Sequence, residues 1–407
     1  MIEPYYQRDG ITIYNGDSCD ILKELQSGSV QMCVTSPPYY GLRDYGTGEW
    51  VGGDSECSHV RESKHNDNCI TGHKNNSFVG DAIYKDVCPR CSAIRIDKQF
   101  GLENTPEAYI NRLVGLFREV KRVLKDNGTL WVNIGDSYAS HKDCKSITDS
   151  LRKGYISEEA NVIEKGRSVT RNTKMLKEQG YKDKDLIGIP WMLAFALRAD
   201  GWFLRQDLIW HKPNPMPESV KDRCTKSHEY IFLLSKSKNY YYDADAIKEP
   251  IKDDSIKRLI QDIENQKGSD RVPGKTNGTM KAVSGKKAIN IDKRMGINGT
   301  SFINHKNFMK ENGELLHGTM ANKKSVWTIT TKPYKEAHFA TFPEDLISPC
   351  IKAGSAKGDI VLDPFGGSGT TADVSRRLGR KCISIELNKE YCDLYLKRRG
   401  NNMELEL

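Results

Sequence analysis

Two short stretches carry the side chains best suited to joint chemistry. Thr35-Ser36-Pro37-Pro38-Tyr39 follows the apolar run Val30–Val34, and Asp363-Pro364-Phe365-Gly366-Gly367-Ser368-Gly369-Thr370-Thr371 follows the run Asp359–Leu362. In the first stretch, consecutive prolines fix the backbone just past a strand. They leave carbonyls that neither a helix nor a ladder satisfies. Ser36 Oγ and the Pro37 carbonyl can accept hydrogen bonds from an exocyclic amino group, and Tyr39 offers a stacking face. The lone pair of such an amino group is delocalised into its ring, which makes the nitrogen a poor nucleophile. Two fixed acceptors on its protons favour the pyramidal geometry that can attack an electrophilic methyl directly.

The second stretch reads as a ligand cradle. Gly366, Gly367 and Gly369 allow close backbone approach, and the helix expected at Ala372–Leu378 presents its N-terminus to a carboxylate or phosphate. The following strand, Cys382–Ile385, ends at Glu386, an acid placed to grip ribose hydroxyls. A glycine-rich turn alone can be purely structural; the strand before it and the acid after it favour a nucleotide-type ligand.

A third group is Cys57-Ser58-His59 with Cys88-Pro89-Arg90-Cys91. Three thiolates and an imidazole suit tetrahedral zinc, and a polar segment with little core would gain its fold from the metal. Cys57, His59, Cys88 and Cys91 are the expected ligands. His65, Cys69 or His73 could substitute for one of them, and free surface thiols are the other reading.

These residues need elements to position them, and the apolar pattern supplies strands. Ile11–Tyr14, Val30–Val34, Thr129–Ile134, Phe203–Trp210, Tyr230–Leu234, Asp359–Leu362 and Cys382–Ile385 each end at turn or polar residues. Thr105-Pro106-Glu107 opens a helix running to Leu124, with Ile110, Leu113, Val114, Phe117, Val120 and Val123 on one face. Ile189–Ala199 and Phe342–Ala353 read as further helices. Alternating strands and helices predict an α/β fold with a mainly parallel sheet covered on both faces. Phe203–Trp210 and Tyr230–Leu234 lie too close in sequence for a crossover helix, so one strand runs antiparallel. Residues 50–100, 140–184 and 244–326 do not fit the alternation and read as insertions.

Composition narrows the setting. The chain has 407 residues, 37% of them hydrophobic, with 11 cysteines and a formal charge of +8; its mean hydropathy is −0.62. No apolar run approaches the roughly 20 residues needed to span a bilayer. The start, Met1-Ile2-Glu3-Pro4, lacks a basic region followed by an apolar one, so a cytoplasmic protein with reduced cysteines is expected. Residues 251–324 carry 15 Lys and Arg against 8 Asp and Glu, nearly the whole excess charge. A concentrated basic segment suits a phosphate backbone, although a solvated insert has the same composition.

With these motifs in place, the chain resembles the amino-group DNA methyltransferases that use S-adenosylmethionine, of the type whose catalytic motif precedes its cofactor motif. The catalytic signature of that family corresponds to Ser36-Pro37-Pro38-Tyr39, and its cofactor signature Phe-x-Gly-x-Gly to Phe365, Gly367 and Gly369, preceded by Asp363. Its cofactor acid corresponds to Glu386. Asn15-Gly16-Asp17 matches the motif before the catalytic strand, which makes Asp17 an adenosyl contact. His338-Phe339-Ala340-Thr341-Phe342-Pro343 matches the motif before the cofactor strand, so Thr341 and Phe342 would line the methionine end. A similar Cys/His insertion before a Gly-Leu-Glu run, here Gly101-Leu102-Glu103, also goes with the resemblance.

The resemblance covers 1–48, 101–139, 185–243 and 325–398, the expected catalytic domain. It implies a Rossmann-like S-adenosylmethionine-dependent methyltransferase fold with seven strands, one of them antiparallel. Residues 50–100 become a zinc-binding insertion, 140–184 a polar insertion and 244–326 a basic target-recognition region. The substrate would be double-stranded DNA, with the target base flipped out of the helix. Gly41–Gly46 would form a loop over the base pocket, and Trp210, His211, Lys212 and Asn214 could border it, with core packing the favoured duty of Trp210. The serine form of the motif favours N4 of cytosine over N6 of adenine. A non-catalytic zinc-containing DNA-binding protein and an RNA methyltransferase remain alternatives. Neither the recognition sequence, a restriction partner nor the oligomeric state is readable. Cys33, just ahead of the motif, is expected to be a buried strand residue rather than a nucleophile.

Overall fold

All seven runs read as strands enter one sheet, joined by two short strands at its edges. The computed structural model describes residues 2–61, 82–83, 87–139, 167–168, 173–250, 269–272, 275–277, 320–331 and 342–403. It divides into two units, residues 1–243 with 325–407, and residues 244–324. The main sheet of the first unit consists of β1 (Tyr6–Arg8), β2 (Ile11–Asn15), β3 (Val30–Thr35), β4 (Leu124–Ile134), β5 (Phe203–His211), β6 (His228–Ser235), β7 (Val326–Thr328), β8 (Ile360–Asp363) and β9 (Lys381–Glu386). Their spatial order is β1-β2-β9-β8-β3-β4-β6-β5-β7. The pairs from β2 to β4 are all parallel. The reversed strand β6 is antiparallel to both β4 and β5, as the short Phe203–Leu234 spacing predicts. β1 adds a second antiparallel edge and β7 pairs parallel with β5.

The register explains one difference from the sequence pattern. β4 begins at Leu124 rather than Thr129: Val30 pairs with Leu124, and the ladder shifts before Met32 meets Thr129. Asn127-Gly128, between the expected helix end at Leu124 and strand start at Thr129, is an irregularity inside one long strand.

Among the described residues the main helices on the sheet are α1 (Ser18–Glu24), α2 (Pro106–Val123), α3 (Ile189–Ala199), α4 (Glu344–Gly354), α5 (Thr370–Arg377) and α6 (Lys389–Met403), and a short helix, Thr173–Glu178, buries Leu176 in the core. Thr105 caps α2, its hydroxyl accepting from the Ala108 N–H at 3.1 Å, and Pro106 occupies the first turn. The predicted apolar stripe is the buried one, and Leu113, Phe117, Val120 and Val123 are inaccessible to solvent. α1, α2 and α3 share one core with Cys33, Leu130, Val132 and Ile134. On the opposite face Gly354 of α4 lies against Met32 and Trp131, and α5 and α6 bury Ala372, Cys392 and Tyr395 against Ile11, Ile13 and Cys382. Cys33 is fully buried, as expected. Among the described residues no helix is long and apolar enough to cross a membrane.

The second unit contains a short 3-10 helix, Asp245–Ile247, the antiparallel pair Glu249–Pro250 with Met320–Ala321, and the hairpin Ser269–Val272 with Lys275–Asn277. Most of the basic insertion lies outside the described residues, as does most of 140–172.

Leu113→Ala should lower unfolding free energy by about 3 kcal/mol, because it opens a cavity where α2 meets the core. Urea unfolding followed by far-UV circular dichroism checks this; a loss under about 1 kcal/mol would mean that the α2 face is loosely packed.

Candidate active site

In a parallel sheet the strand ends on one edge collect the loops that bind ligands. Here Asn15, Thr35, Asp363 and Glu386 close β2, β3, β8 and β9 at the same edge. β8 and β3 are direct neighbours. The two motifs, 328 residues apart at their closest bond, are therefore joined: Thr35 Oγ1 donates to Asp363 Oδ1 at 2.6 Å.

Asp363 is 1% exposed, and protein groups engage both of its oxygens. Thr371 Oγ1 donates to Oδ2 at 2.5 Å and the Phe365 N–H donates to Oδ1 at 3.1 Å. Burial raises its carboxyl above the ordinary range, opposed by these bonds. The structure thus places Asp363 as a clamp holding the end of β3, the glycine turn and the start of α5.

The glycine turn is shaped by close packing. A Cβ on Gly366 would lie 1.9 Å from Ser384 Oγ, and one on Gly369 (φ +82°) would strike the Tyr395 ring at 2.2 Å. Gly367 differs, since at φ +52° its missing Cβ faces open space. Its N–H donates to Glu386 Oε2 at 2.7 Å, while the Asn388 N–H donates to Oε1 at 2.8 Å. Each carboxylate oxygen keeps further lone-pair capacity. Burial pushes the Glu386 carboxyl up to about 7, against the pull of these backbone bonds. Phe365 sits edge-on to Phe100, with ring centroids 5.2 Å apart.

The Asn15-Gly16-Asp17 turn is tied to the same place. Asn15 Nδ2 donates to the carbonyls of Glu386 and Leu387 at 2.9 and 3.1 Å. The Gly16 N–H donates to the Glu386 carbonyl at 2.9 Å, and Ser18 Oγ donates to the Pro364 carbonyl. Asp17 caps α1, accepting from the Cys19 N–H at 2.8 Å. Phe342 is half-buried just before Pro343, the N-cap of α4. Thr341 lies outside the described residues.

Past β3, the Ser36–Tyr39 turn meets a polar network that the motifs do not reveal. Ser36 Oγ donates to Asn133 Oδ1 at 3.4 Å. The Tyr39 phenol lies 3.3 Å from the same oxygen and donates to Glu229 Oε2 at 2.7 Å. Asn133 Nδ2 donates to Glu229 Oε2 at 3.2 Å and to the Tyr230 carbonyl at 3.1 Å. Lys212 pairs with Glu229 Oε1 and sits 4.2 Å from the Trp210 ring centroid. Burial and the Glu229 carboxylate push the Tyr39 phenol well above its ordinary range, so it stays protonated and donates. Pro38 is held through its carbonyl, which accepts from Tyr109 Oη at 2.8 Å. The Tyr39 ring packs against Gly135, where a Cβ would lie 2.6 Å from it. Its hydroxyl thus does as much as the stacking face expected from sequence.

Of the residues expected beside the base, Lys212 joins this network, whereas Trp210 is buried with its indole N–H on the Ile329 carbonyl. Asn133 and Glu229 are additions. One signal was available: Asn133 interrupts the apolar run Leu130-Trp131-Val132-Asn133-Ile134. Glu229 reaches the site because β6 is reversed, which puts its first residues at the active edge. Cys57, His59, Cys88 and Cys91 also come together, with their ligand atoms all within 4.8 Å of one another. The substitutes His65, Cys69 and His73 lie outside the described residues.

A family model described as DNA methylase, covering N6 and N4 methyltransferases, matches residues 30–397. The chain belongs to the DNA methylase family. It is 37% identical over 390 residues to the type II methyltransferase M.Cfr9I of Citrobacter freundii, covering 96% of this chain and 88% of that one. It is likewise 37% identical over 383 residues to the type II methyltransferase M.SmaI of Serratia marcescens, covering 94% and 88%. Among solved structures it is similar to PvuII DNA methyltransferase (cytosine-N4-specific), with 15% identity, a TM-score of 0.49, and coverage of 97% of this chain and 88% of that one. In this DNA methylase the sheet is the nine-stranded mixed one described above, two strands wider than the pattern alone predicts.

The packing of the glycine turn is directly testable. Gly366→Ala should destabilise the protein by roughly 1–3 kcal/mol through overpacking, and Ser384→Ala in the same chain should recover most of that loss. Denaturant melts of the two single variants and the double variant decide it; additive losses would show that the Ser384 hydroxyl is not what excludes a side chain.

Proposed function

We propose that this DNA methylase transfers a methyl group from S-adenosylmethionine to the exocyclic N4 of cytosine in double-stranded DNA. The observation that carries the reading is the position of the Ser36–Tyr39 turn at the end of β3, fastened through Thr35 and Asp363 to the glycine turn on the adjacent strand β8.

The chain's own residues divide the work. Asn133 takes the single proton of the Ser36 hydroxyl, which leaves the Ser36 lone pairs to accept from an amino group. The Pro37 carbonyl supplies a second acceptor, since proline carries no N–H and fixes the turn. Together they hold both amino protons and draw the nitrogen towards a pyramidal geometry. Glu229 and Asn133 fix the Tyr39 phenol, so its ring stands ready beside the target base. Glu386 would accept from the ribose hydroxyls, and the open face of Gly367 admits the ligand close to the backbone. Phe365 and Asp17 fall at the same edge and would complete the adenosyl cradle, with Phe342 towards the methionine end. S-adenosylmethionine supplies an electrophilic sulfonium methyl when bound. The amino nitrogen would attack that methyl as its bond to sulfur breaks, leaving the neutral thioether product, and would then lose one proton to water, with no covalent enzyme intermediate.

Serine at position 36, rather than an acid or its amide, supports cytosine over adenine. The basic composition of 251–324 supports duplex DNA as substrate and this segment as the recognition region. The type II methyltransferases among the relatives support a place in a restriction-modification system.

Incubation with duplex DNA and labelled S-adenosylmethionine, followed by nucleoside mass spectrometry, should yield N4-methylcytosine. N6-methyladenine as the sole product would overturn the cytosine assignment, and modified RNA alone would overturn the DNA assignment. Ser36→Ala should lower kcat by roughly 100-fold with little change in cofactor affinity. Glu229→Gln, which keeps the shape but removes the charge that holds Tyr39 and Lys212, should lower kcat by about tenfold. Full activity in both variants would remove the proposed mechanism.

Burial pushes the Glu386 carboxyl up to about 7. Ribose hydroxyls donate best to the ionised form, so binding pulls this pKa down and affinity must fall as pH falls. Calorimetry should show S-adenosylmethionine affinity roughly constant above pH 8 and weaker by up to about tenfold per unit below pH 6. Glu386→Gln should bind weakly and without that slope; an unchanged slope would place the titrating group elsewhere.

A further inference from the structure

The insertion that leaves the sheet after the Ser36–Tyr39 turn returns to it at Gly101. Its packing is unusual for a segment with defined geometry. In the antiparallel pair Glu49–Val51 with Ile94–Ile96, the apolar residues Val51, Ile94 and Ile96 are each more than half exposed. Among the described residues this pair buries little apolar surface of its own, which leaves room for another constraint.

The four ligand atoms lie within 4.8 Å of one another, and two of their edges match a tetrahedral metal site. Cys57 Sγ and Cys88 Sγ are 3.8 Å apart, and Cys91 Sγ is 3.5 Å from His59 Nδ1. Metal–sulfur and metal–nitrogen bonds of about 2.3 and 2.1 Å at tetrahedral angles require edges of about 3.8 and 3.6 Å. The surroundings fit this geometry. The Cys88–Cys91 loop closes on itself, with the Cys88 N–H donating to the Ala93 carbonyl and the Ser92 N–H to the Cys88 carbonyl, both at 2.8 Å. Trp50 stacks on the His59 imidazole at 4.3 Å and 15°. Gly53 (φ +75°) passes so close that a Cβ there would lie 2.8 Å from Cys91 Sγ.

One strand of the pair connects this cluster to the catalytic edge. Arg95, opposite Trp50 in the ladder, has its side chain 5% exposed and grips Asp44 through two bonds of 2.7 and 2.9 Å. It also bonds Asp97 at 2.7 Å. Gln99 then receives the Tyr45 N–H and donates to the Arg43 carbonyl, both at 2.7 Å. The Tyr45 ring meets Tyr391 edge-on at 6.4 Å, and the charge of Glu386 acts on both tyrosines. The Arg43–Tyr45 segment therefore stands beside the Glu386 pocket and is held from the far side by Arg95 and Gln99.

We propose that Cys57, His59, Cys88 and Cys91 bind a structural zinc ion, and that this knuckle, acting through Arg95, positions Arg43–Tyr45 against the cofactor pocket. The second half rests on reading the Glu386 pocket as the S-adenosylmethionine site; the first half does not.

The full-length protein, purified without added metal, should carry about one zinc per chain by inductively coupled plasma mass spectrometry. Cobalt substitution should give the intense visible d–d bands of a tetrahedral thiolate site. Cys88→Ser and Cys91→Ser should lose the zinc and the cobalt spectrum. Zinc-free wild-type protein, or variants that keep full occupancy, would overturn the site.

For the positioning role, zinc is removed from the wild-type chain by a chelator and then restored, which avoids variants that fail to fold. S-adenosylmethionine affinity by calorimetry should weaken roughly tenfold on removal, as the competent loop position becomes a minor one, and should recover on reloading. Arg95→Met should show a similar loss while keeping its zinc. Unchanged cofactor affinity in the zinc-free protein would overturn the positioning role. Zinc-loaded protein that binds no cofactor would instead overturn the reading of the pocket, leaving the metal site to stand on its own content and spectrum.

Discussion

One buried carboxylate sets the geometry of the candidate site. Asp363 holds the end of the strand that leads into Ser36, the backbone of the glycine turn, and the first turn of α5. A buried acid is tolerable because two hydroxyls and an N–H surround it, and those donors come from three different segments. Removing any one leaves the others around an undersatisfied charge, so the arrangement is self-enforcing. Proximity and orientation are the main resources of a direct transfer reaction. Under the proposed reading they trace to Asp363, whose hydrogen bonds join the two motifs.

A second layer of control lies behind the aromatic residue. Tyr39, Asn133, Glu229 and Lys212 join the ends of four strands into one hydrogen-bonded array. Its charges are paired and largely shielded, and its polarity runs one way, from lysine to glutamate and from phenol and amide to glutamate. This order fixes which way the Ser36 hydroxyl points. Electrostatic preorganisation of this sort costs nothing at the moment of reaction, since the dipoles are already in place.

Much of this was legible in the chain. The Ser36–Tyr39 and Asp363–Thr371 motifs announce themselves because their chemistry is local: prolines, glycines and an aromatic within a few residues. The α2 stripe and the seven strands follow from periodicity alone. The Asn133–Glu229–Lys212 array was harder to see because Asn133 and Glu229 lie 94 to 190 residues from their partners in the turn, and Glu229 arrives only through the reversal of β6. Nothing in the spacing says that a strand-opening glutamate will face the same edge as a strand-closing serine. The β4 start was misread for a related reason: Asn127-Gly128 has turn chemistry, and only pairing with Val30 draws Leu124 into the ladder. The Cys/His cluster was visible as four residues, but its link to Tyr45 through Arg95 exists only in three dimensions.

The reversal of β6 has a further consequence for how such a protein can diversify. The connection from Lys212 to Ser227 leaves and re-enters the sheet at the catalytic edge, and the Lys212 N–H on the Ser227 carbonyl closes its base at 2.7 Å. Whatever lies between is a hairpin tip with both ends pinned, and Met216 within it is 87% exposed. Such a tip can lengthen, shorten or change its side chains while Glu229 keeps its place. Natural variation can therefore reshape the surface beside the Tyr39–Glu229 array without disturbing the bonds that hold it, and a library confined to this tip is a natural starting point for directed evolution.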